Sequence, residues 1–404
     1  MANASRYRIL HCESCEDGTT GGSHQVLYDT VRLVDRQRFE PVIVFYQDNR
    51  FVEAMRELGI PVHVWTAERR LEREPHENQR RLAQLGSMIG AVRRRVRLLR
   101  EERIDLVNLN NTPAIGFDDW LPAALWLGLP CVVTVAGRPY HLPIARLQRM
   151  LTRRFDRLIA AGEHVLESLR LGGYPESMLT KVDNGVDLER FTDRVRVPAA
   201  QMRERLGIPA DRLLVVMVAN LREWKGHSVV VSALEQMSPD TRRRLHVAFV
   251  GHARPDDQEH VQGLVARLAR AGATREVSFL GGRTDVPDVL NAADVALHAS
   301  STYPEPFGLV LVEALALGKP LIASRRGGPV EIVSEDTGIL FDPRDPLELV
   351  EAFERLLERP DLRKSMGAAA RLRAQQFTAR RMAEGMQRLW EELLAGRSPV
   401  GADG

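Results

Sequence analysis

Disulfide chemistry has little to work with in this chain, because 404 residues hold only 3 cysteines. That number cannot build a disulfide framework. The opening residues also lack the pattern of a cleavable secretory signal, so a cytoplasmic address is expected. Cys12 and Cys15 form a C-x-x-C, but a structural metal site needs about four ligands and only Cys131 remains to join them. Net charge is equally scarce: 56 Lys and Arg against 54 Asp and Glu leave +2. A general nucleic-acid binder carries a larger positive excess, so nucleic acid is not an expected partner. Lysine is rare, with only Lys181, Lys225, Lys319 and Lys364 among the cations, which gives weight to any lysine inside a motif. The longest charge-free stretch, Trp120 to Gly137, is interrupted by Pro122, Gly128 and Pro130. It reads as a helix, a turn and a buried strand rather than a membrane span.

What remains is ordinary globular material, 44% apolar and 27% charged, at a length that points to two domains. Short β-branched runs alternate with helical patterns. The expected strands of the first half are Tyr7–Cys12, Pro41–Phe45, Pro61–Val64, Leu106–Leu109, Cys131–Val135 and Arg157–Ala160. Helical patterns at Gly22–Val34, Phe51–Leu58, Arg80–Glu102 and Ile144–Arg154 separate them. After a polar stretch the alternation restarts with Leu213–Ala219, Leu245–Val250, Val277–Leu280, Val295–His298 and Pro320–Ala323. Near-continuous apolar strands spaced by helices predict parallel sheets covered on both faces. The expected fold class is therefore α/β, with two Rossmann-like, doubly wound parallel-sheet domains facing across a cleft. The boundaries fall at 1–195, 196–377 and a closing helix and tail at 378–404, which is expected to cross back to the first domain. Ligands of such folds bind where strand carboxyl ends meet helix amino ends, which favours a phosphate-bearing molecule.

Three segments carry candidate chemistry. In Pro304-Glu305-Pro306-Phe307-Gly308-Leu309, Glu305 occupies a Pro-flanked loop, and Gly308 and Leu309 open a helix whose amides can receive an anion. Glu313 falls one turn beyond Leu309 on the same face. Two carboxylates so spaced suit the two polyol ends of a sugar nucleotide, although a loop Glu and a surface helix Glu would look the same. In Asn220-Leu221-Arg222-Glu223-Trp224-Lys225-Gly226, Lys225 and Arg222 lie at a strand-to-helix turn, where they suit a diphosphate or simply face solvent. Gly18-Thr19-Thr20-Gly21-Gly22 follows the first strand and permits close backbone approach, as would a plain flexible turn.

Together these segments resemble the retaining glycosyltransferases of the GT-B fold, family 4. The resemblance rests on E-x7-E from Glu305 to Glu313, on Asn184-Gly185-Val186-Asp187, on Phe279-Leu280-Gly281, and on Gly327-Gly328-Pro329 with Thr337-Gly338. It is densest from Val182 to Pro343. It implies a nucleoside-diphosphate-sugar donor held mainly by the second domain, and a hydroxyl acceptor (a lipid-linked glycan, a polysaccharide or a small molecule) held mainly by the first. By position, Glu305 matches the carboxylate near the reacting carbon, Lys225 the diphosphate lysine, and Glu313 the ribose ligand. Phe307, Gly308 and Leu309 match the backbone segment over sugar and phosphate, and Gly21 and Gly22 the glycine turn under the phosphates. Gly281 and Arg283 fall near the nucleobase. Two positions depart from the family pattern. Asn220 stands where many relatives have an Arg, with Arg222 close enough to compensate. Ala136 stands where many have a His, leaving Arg138 and His141 as acceptor-side candidates.

The resemblance further implies hexosyl transfer with retention, without a metal or other cofactor, in bacterial glycan, glycolipid or glycosylated-metabolite synthesis. The departing diphosphate can take the acceptor's proton, which fits the absence of a nucleophile–base set. A sugar-nucleotide epimerase of similar build, or a sugar-nucleotide sensor without turnover, remains open on these residues. Arg80 to Arg103 holds eight arginines against Glu101 and Glu102 on an amphipathic helix, with Arg93, Arg94 and Arg95 consecutive. It fits peripheral contact with the inner face of an anionic membrane, or a packed helix with a solvated face.

Overall fold

The computed structural model describes residues 6–13, 22–66, 80–110, 120–135 and 150–400, the side chains of 80–88 excepted. It divides into two compact units, Met1–Asn184 with Ala379–Gly404, and Gly185–Thr378. From the sequence these boundaries are expected at 195 and 377. The structure ends the first unit eleven residues earlier because Val186 already pairs with Thr378 as a parallel bridge, and its amide donates to Phe377 O at 2.9 Å. Where the chain enters and leaves the second unit, its backbone is stitched together.

The first unit holds strands β1 (Tyr7–Glu13), β2 (Phe39–Phe45), β3 (Val62–Val64), β4 (Leu106–Asn110), β5 (Cys131–Val135), β6 (Arg157–Ala160) and β7 (Leu179–Lys181). They form one parallel sheet ordered β3-β2-β1-β4-β5-β6-β7. Its helices are α1 (Gly22–Leu33), α2 (Arg50–Glu57), α3 (Arg80–Glu101), α4 (Trp120–Leu127) and α5 (Glu163–Leu171). The second unit holds β8 (Leu213–Val218), β9 (Leu245–Val250), β10 (Val277–Phe279), β11 (Val295–His298), β12 (Leu321–Ser324) and β13 (Gly338–Phe341), ordered β10-β9-β8-β11-β12-β13 and likewise parallel. Its helices are α6 (Leu188–Thr192), α7 (Ala199–Arg205), α8 (His227–Gln236), α9 (Pro239–Arg242), α10 (Gln258–Arg270), α11 (Val286–Ala292), α12 (Leu309–Ala316), α13 (Pro329–Ile332), α14 (Pro346–Glu358) and α15 (Pro360–Ala374). Both sheets carry apolar clusters on their two faces, which is why their strands read as unbroken hydrophobic runs. β7 and β13 were not expected. Both are edge strands of three or four residues, too short and too polar or glycine-bearing to show a pattern.

The closing helix α16 (Ala379–Leu394) belongs to the first unit. Its Met382, Met386, Leu389 and Trp390 share a core with Ile9, Phe39, Leu106 and Val132, so the chain's last helix covers one face of the first sheet.

The basic helix α3 corrects one sequence expectation. Arg93, Arg94, Arg97 and Arg100 are exposed, but Arg95 is buried at 4%. Its guanidinium lies 5.2 Å from the Trp65 ring centroid and 5.3 Å from that of Trp120, and it donates to the Tyr46 hydroxyl. Ala91, Arg95, Leu98 and Leu99 share the inward stripe, so a cation takes a core position by resting against two stacked indoles. Among the described residues, no helix is long and apolar enough to cross a membrane.

Candidate functional site

In the second unit, chain order reverses between β8 and β11, which lie side by side with Val295 opposite Val215. At such a switch point the segments leaving neighbouring strands open away from each other and leave room for a ligand. The two motif segments leave these two strands.

From β8 the chain passes Asn220 and Arg222 into a single 3-10 turn, Glu223–Lys225, and then into α8 through Gly226 at φ 82°. A Cβ on Gly226 would lie 1.8 Å from the Ala299 carbonyl oxygen, so only glycine lets this turn press against the end of β11. Ser301 N–H donates to Trp224 O at 2.9 Å and fixes the contact. From β11 the chain runs through Ser300 and Ser301 to Glu305. Glu305 bridges to Gly327, and its carbonyl accepts from Gly328 N–H at 2.8 Å. A Cβ on Gly327 would come within 2.3 Å of Glu305 O, and one on Gly328 within 2.2 Å of Phe307 O. The Gly327-Gly328-Pro329 motif is therefore the bed on which the Glu305 loop lies.

This packing brings two motif residues 80 positions apart into one ion pair. Lys225 Nζ stands 2.5 Å from Glu305 Oε2, with the side chains 19% and 16% exposed, and 4.0 Å from the Trp224 ring centroid. The same carboxylate oxygen faces His298 Nε2 at 3.4 Å and Ser300 Oγ at 3.3 Å. His298 Nδ1 in turn meets Ser324 Oγ at 3.3 Å. An Nε2–H tautomer satisfies both contacts, donating to Glu305 and accepting from the Ser324 hydroxyl. Burial works to raise the Glu305 carboxyl, but the Lys225 ammonium and His298 outweigh it and hold the group well below the usual carboxylate range. Glu305 is thus a fixed anion at neutral pH, held on one oxygen. His298, Ser300, Ser324 and Trp224 did not stand out in the sequence. His298 and Ser324 come from adjacent strands, and only the β11–β12 pairing brings them together.

Beyond Glu305, Phe307 is buried and meets Phe377 edge-on at 5.8 Å, so its side chain serves the core and only its backbone faces the loop. Gly308 at φ 105° caps α12, and no side chain caps that helix's first turn. The amide hydrogens around Leu309 and Val310 therefore mark a partly positive end. Glu313 lies one turn further on, half-buried. Arg222 is half-buried and, among the described residues, its guanidinium makes no hydrogen bond or ion pair. Asn220 is used structurally, its Oδ1 accepting from His252 N–H at 3.3 Å. Gly281 and Arg283 leave β10 at the same end of the sheet, on the far side of β9, with Arg283 gripping Asp285 at 2.8 and 2.7 Å. Gly22 opens α1 in the first unit, and Gly21, Arg138 and His141 lie outside the described residues, as do Cys15 and Ala136.

Residues 20–190 match the family model described as Glycosyltransferase Family 4, and residues 199–373 the one described as Glycosyl transferases group 1. The chain belongs to this glycosyltransferase family. A D-inositol 3-phosphate glycosyltransferase of Saccharomonospora viridis is 32% identical over 247 residues, which take in 59% of this chain and 56% of that protein. Its namesake from Streptomyces scabiei is 32% identical over 282 residues, 65% and 62% of the two chains. This chain thus spans little more than half the length of the curated relatives it matches. Among solved structures, HepE of Anabaena in complex with UDP is similar with a TM-score of 0.78 at 25% identity, covering 95% of this chain and 100% of that one. A glycosyltransferase from Rickettsia africae reaches 0.81 at 18% identity over 97% and 99%, a likeness of fold. The two parallel-sheet α/β units are those expected of a GT-B glycosyltransferase.

Proposed function

We propose that this chain transfers a hexosyl group from a nucleoside-diphosphate-sugar to an acceptor hydroxyl, with retention and without a metal. The observation that carries the reading is the Lys225–Glu305 pair standing beside the uncapped start of α12. As the glycosidic bond breaks, negative charge gathers on the leaving diphosphate. The remaining Lys225 N–H bonds, Arg222 and the first amides of α12 are its natural partners, and the site already holds them in place, so little reorganisation is needed. Glu305, kept ionised and held on one oxygen, leaves its other oxygen to accept from donor sugar hydroxyls. Glu313 suits the ribose, and Gly281 with Arg283 the base. The diphosphate oxygen takes the acceptor's proton as it departs, so no protein nucleophile is required. UDP, bound by HepE, is the first nucleotide to test.

The test is a panel of UDP-, GDP- and ADP-sugars, following nucleotide release with and without acceptors, inositol phosphates among them. Transfer predicts acceptor-stimulated release, epimerisation an isomerised donor, and sensing saturable binding without turnover. Glu305→Gln should fold and keep donor binding yet lose turnover. Wild-type release from that variant would refute the role given to Glu305.

The outer face of α3 supports a second part of the reading, peripheral contact with an anionic membrane near a lipid-linked acceptor. Exposed Arg93, Arg94, Arg97 and Arg100 lie on the helix that shares a core with α4, whose Leu125 and Trp126 are 41% and 76% exposed. Cations beside an exposed indole suit a charged lipid interface. Arg93/Arg94/Arg97→Glu should abolish co-sedimentation with phosphatidylglycerol vesicles. A native chain that stays in the supernatant would sink the idea.

A further inference from the structure

The amino ends of the second sheet hold a feature that the proposed transfer does not use. Where β11 and β12 begin, opposite the end that carries Glu305, a concavity of about 550 Å³ is lined by Ala199, Ala200, Arg203, Ala292, Asp294 and Lys319 among others. The alanines of α7 and α11 keep it open, and Lys319 projects into it from the turn that follows α12. We propose that Lys319 is a nucleophilic amine that accepts a short activated acyl group, a modification site built into this pocket.

The surroundings disfavour the ammonium form. Lys319 Nζ donates to the Asn291 carbonyl at 2.6 Å, a contact that both the ammonium and the free amine can make. Two further cations crowd it. Arg203 comes from α7. Arg371 comes from α15, and its guanidinium lies so close over Gly318 that a Cβ there would meet it at 2.7 Å. Asp294 is the acid set against them, but its Oδ2 is already taken by Arg203 at 2.5 Å and by the Leu214 amide at 2.8 Å. Glu204, which also lines the pocket, is exposed and screened by solvent. Burial first, then repulsion from Arg371 and Arg203, outweigh Asp294 and push the Lys319 amine down to about 8. A larger share of it is then free base near neutral pH than of an ordinary lysine.

Acylation balances without any further reactant. The Nζ lone pair forms an N–C bond to the acyl carbonyl carbon, and the C–O bond of an acyl phosphate or the C–S bond of a thioester breaks. Phosphate or thiolate leaves with the electron pair, and the surplus proton on nitrogen passes to water. The product amide keeps an N–H for Asn291 and removes the charge that Arg203 and Arg371 oppose. The small side chains leave room for an acyl chain of a few carbons.

The chain's scarcity of lysine makes the test clean, since only four lysyl side chains can compete. Lys225 is paired with Glu305, and Lys181 with Glu163 at 3.4 Å and Asp183 at 3.2 Å, while Lys364 is exposed and serves as the reference. The native protein is treated with limiting acetyl phosphate or acetyl-CoA from pH 6.5 to 9.5, and each lysyl peptide is quantified by mass spectrometry. Lys319 should label several-fold faster than Lys364 at pH 7.5, on a curve that levels near pH 8.5 while that of Lys364 keeps rising. Preference for one reagent would name the acyl source. Lys319 labelling no faster than Lys364 with both reagents, or tracking its slope to pH 9.5, would overturn the proposal.

Discussion

Replacing Lys225 with methionine should slow nucleotide release about a hundredfold and also lower the stability of the second unit by about 3 kcal/mol. The two losses have different origins. The kinetic loss removes a cation from the place where diphosphate charge develops, where one preorganised donor contributes on the order of 3 kcal/mol to the transition state. The stability loss arises because Glu305 stays behind, largely shielded from water, with His298 and Ser300 as its remaining partners. An uncompensated carboxylate in such a place must either remain charged at high cost or take up a proton. The sign of the pH dependence follows. A carboxyl held low in the folded state adds stability above its unfolded pKa, and that stability is lost as pH falls through the folded value. The variant should therefore lose less stability than the native chain as pH falls below about 4.5, the ordinary value of a glutamate. Adding Glu305→Gln to Lys225→Met should restore part of the stability and none of the activity, because no buried charge is then left alone. Urea unfolding of the two single variants and the double variant tests this, and strictly additive losses would show that the ion pair carries no coupling.

What the sequence disclosed about this site divides by distance along the chain. Glu305, Gly308, Leu309 and Glu313 sit within one turn-and-helix segment, and Lys225 within another, so local rules place each on its element. Their meeting depends on β8 and β11 being neighbours, a fact of strand order that local patterns do not contain. The same holds for His298 and Ser324, polar residues that look incidental until the β11–β12 register sets them under the carboxylate. Arg95 failed for another reason. The run Arg93-Arg94-Arg95 reads as one solvated block, yet the helical period turns its third member inward with Ala91, Leu98 and Leu99, and Trp65 and Trp120 provide the surface that receives it. The strands of both sheets were legible because burial on two faces makes them apolar throughout. The edge strands β7 and β13 carry no such signature.

The largest structural loss is expected from Trp390→Ala, at about 3–5 kcal/mol and confined to the first unit. Trp390 is 1% exposed and meets Phe39 edge-on at 5.5 Å and His11 at 5.3 Å. Burial pushes the His11 imidazole down to about 3, so it packs as a neutral ring. The indole N–H also faces Asn108 Oδ1 at 3.4 Å within the core, so truncation opens a cavity and leaves a buried acceptor short of a donor. The loss should be regional because α16, which belongs to the first unit, buries its apolar face in that unit's core. In hydrogen exchange, amides of β1 and β4 should lose protection together, while those of β8 and β11 keep theirs. Trp390→Phe, which keeps most of the ring but not the N–H, should recover more than half of the deficit if packing dominates. Equal loss of protection in both sheets would mean that the two units unfold as one, and the closing helix would then be a clamp on the whole chain rather than the lid of one sheet.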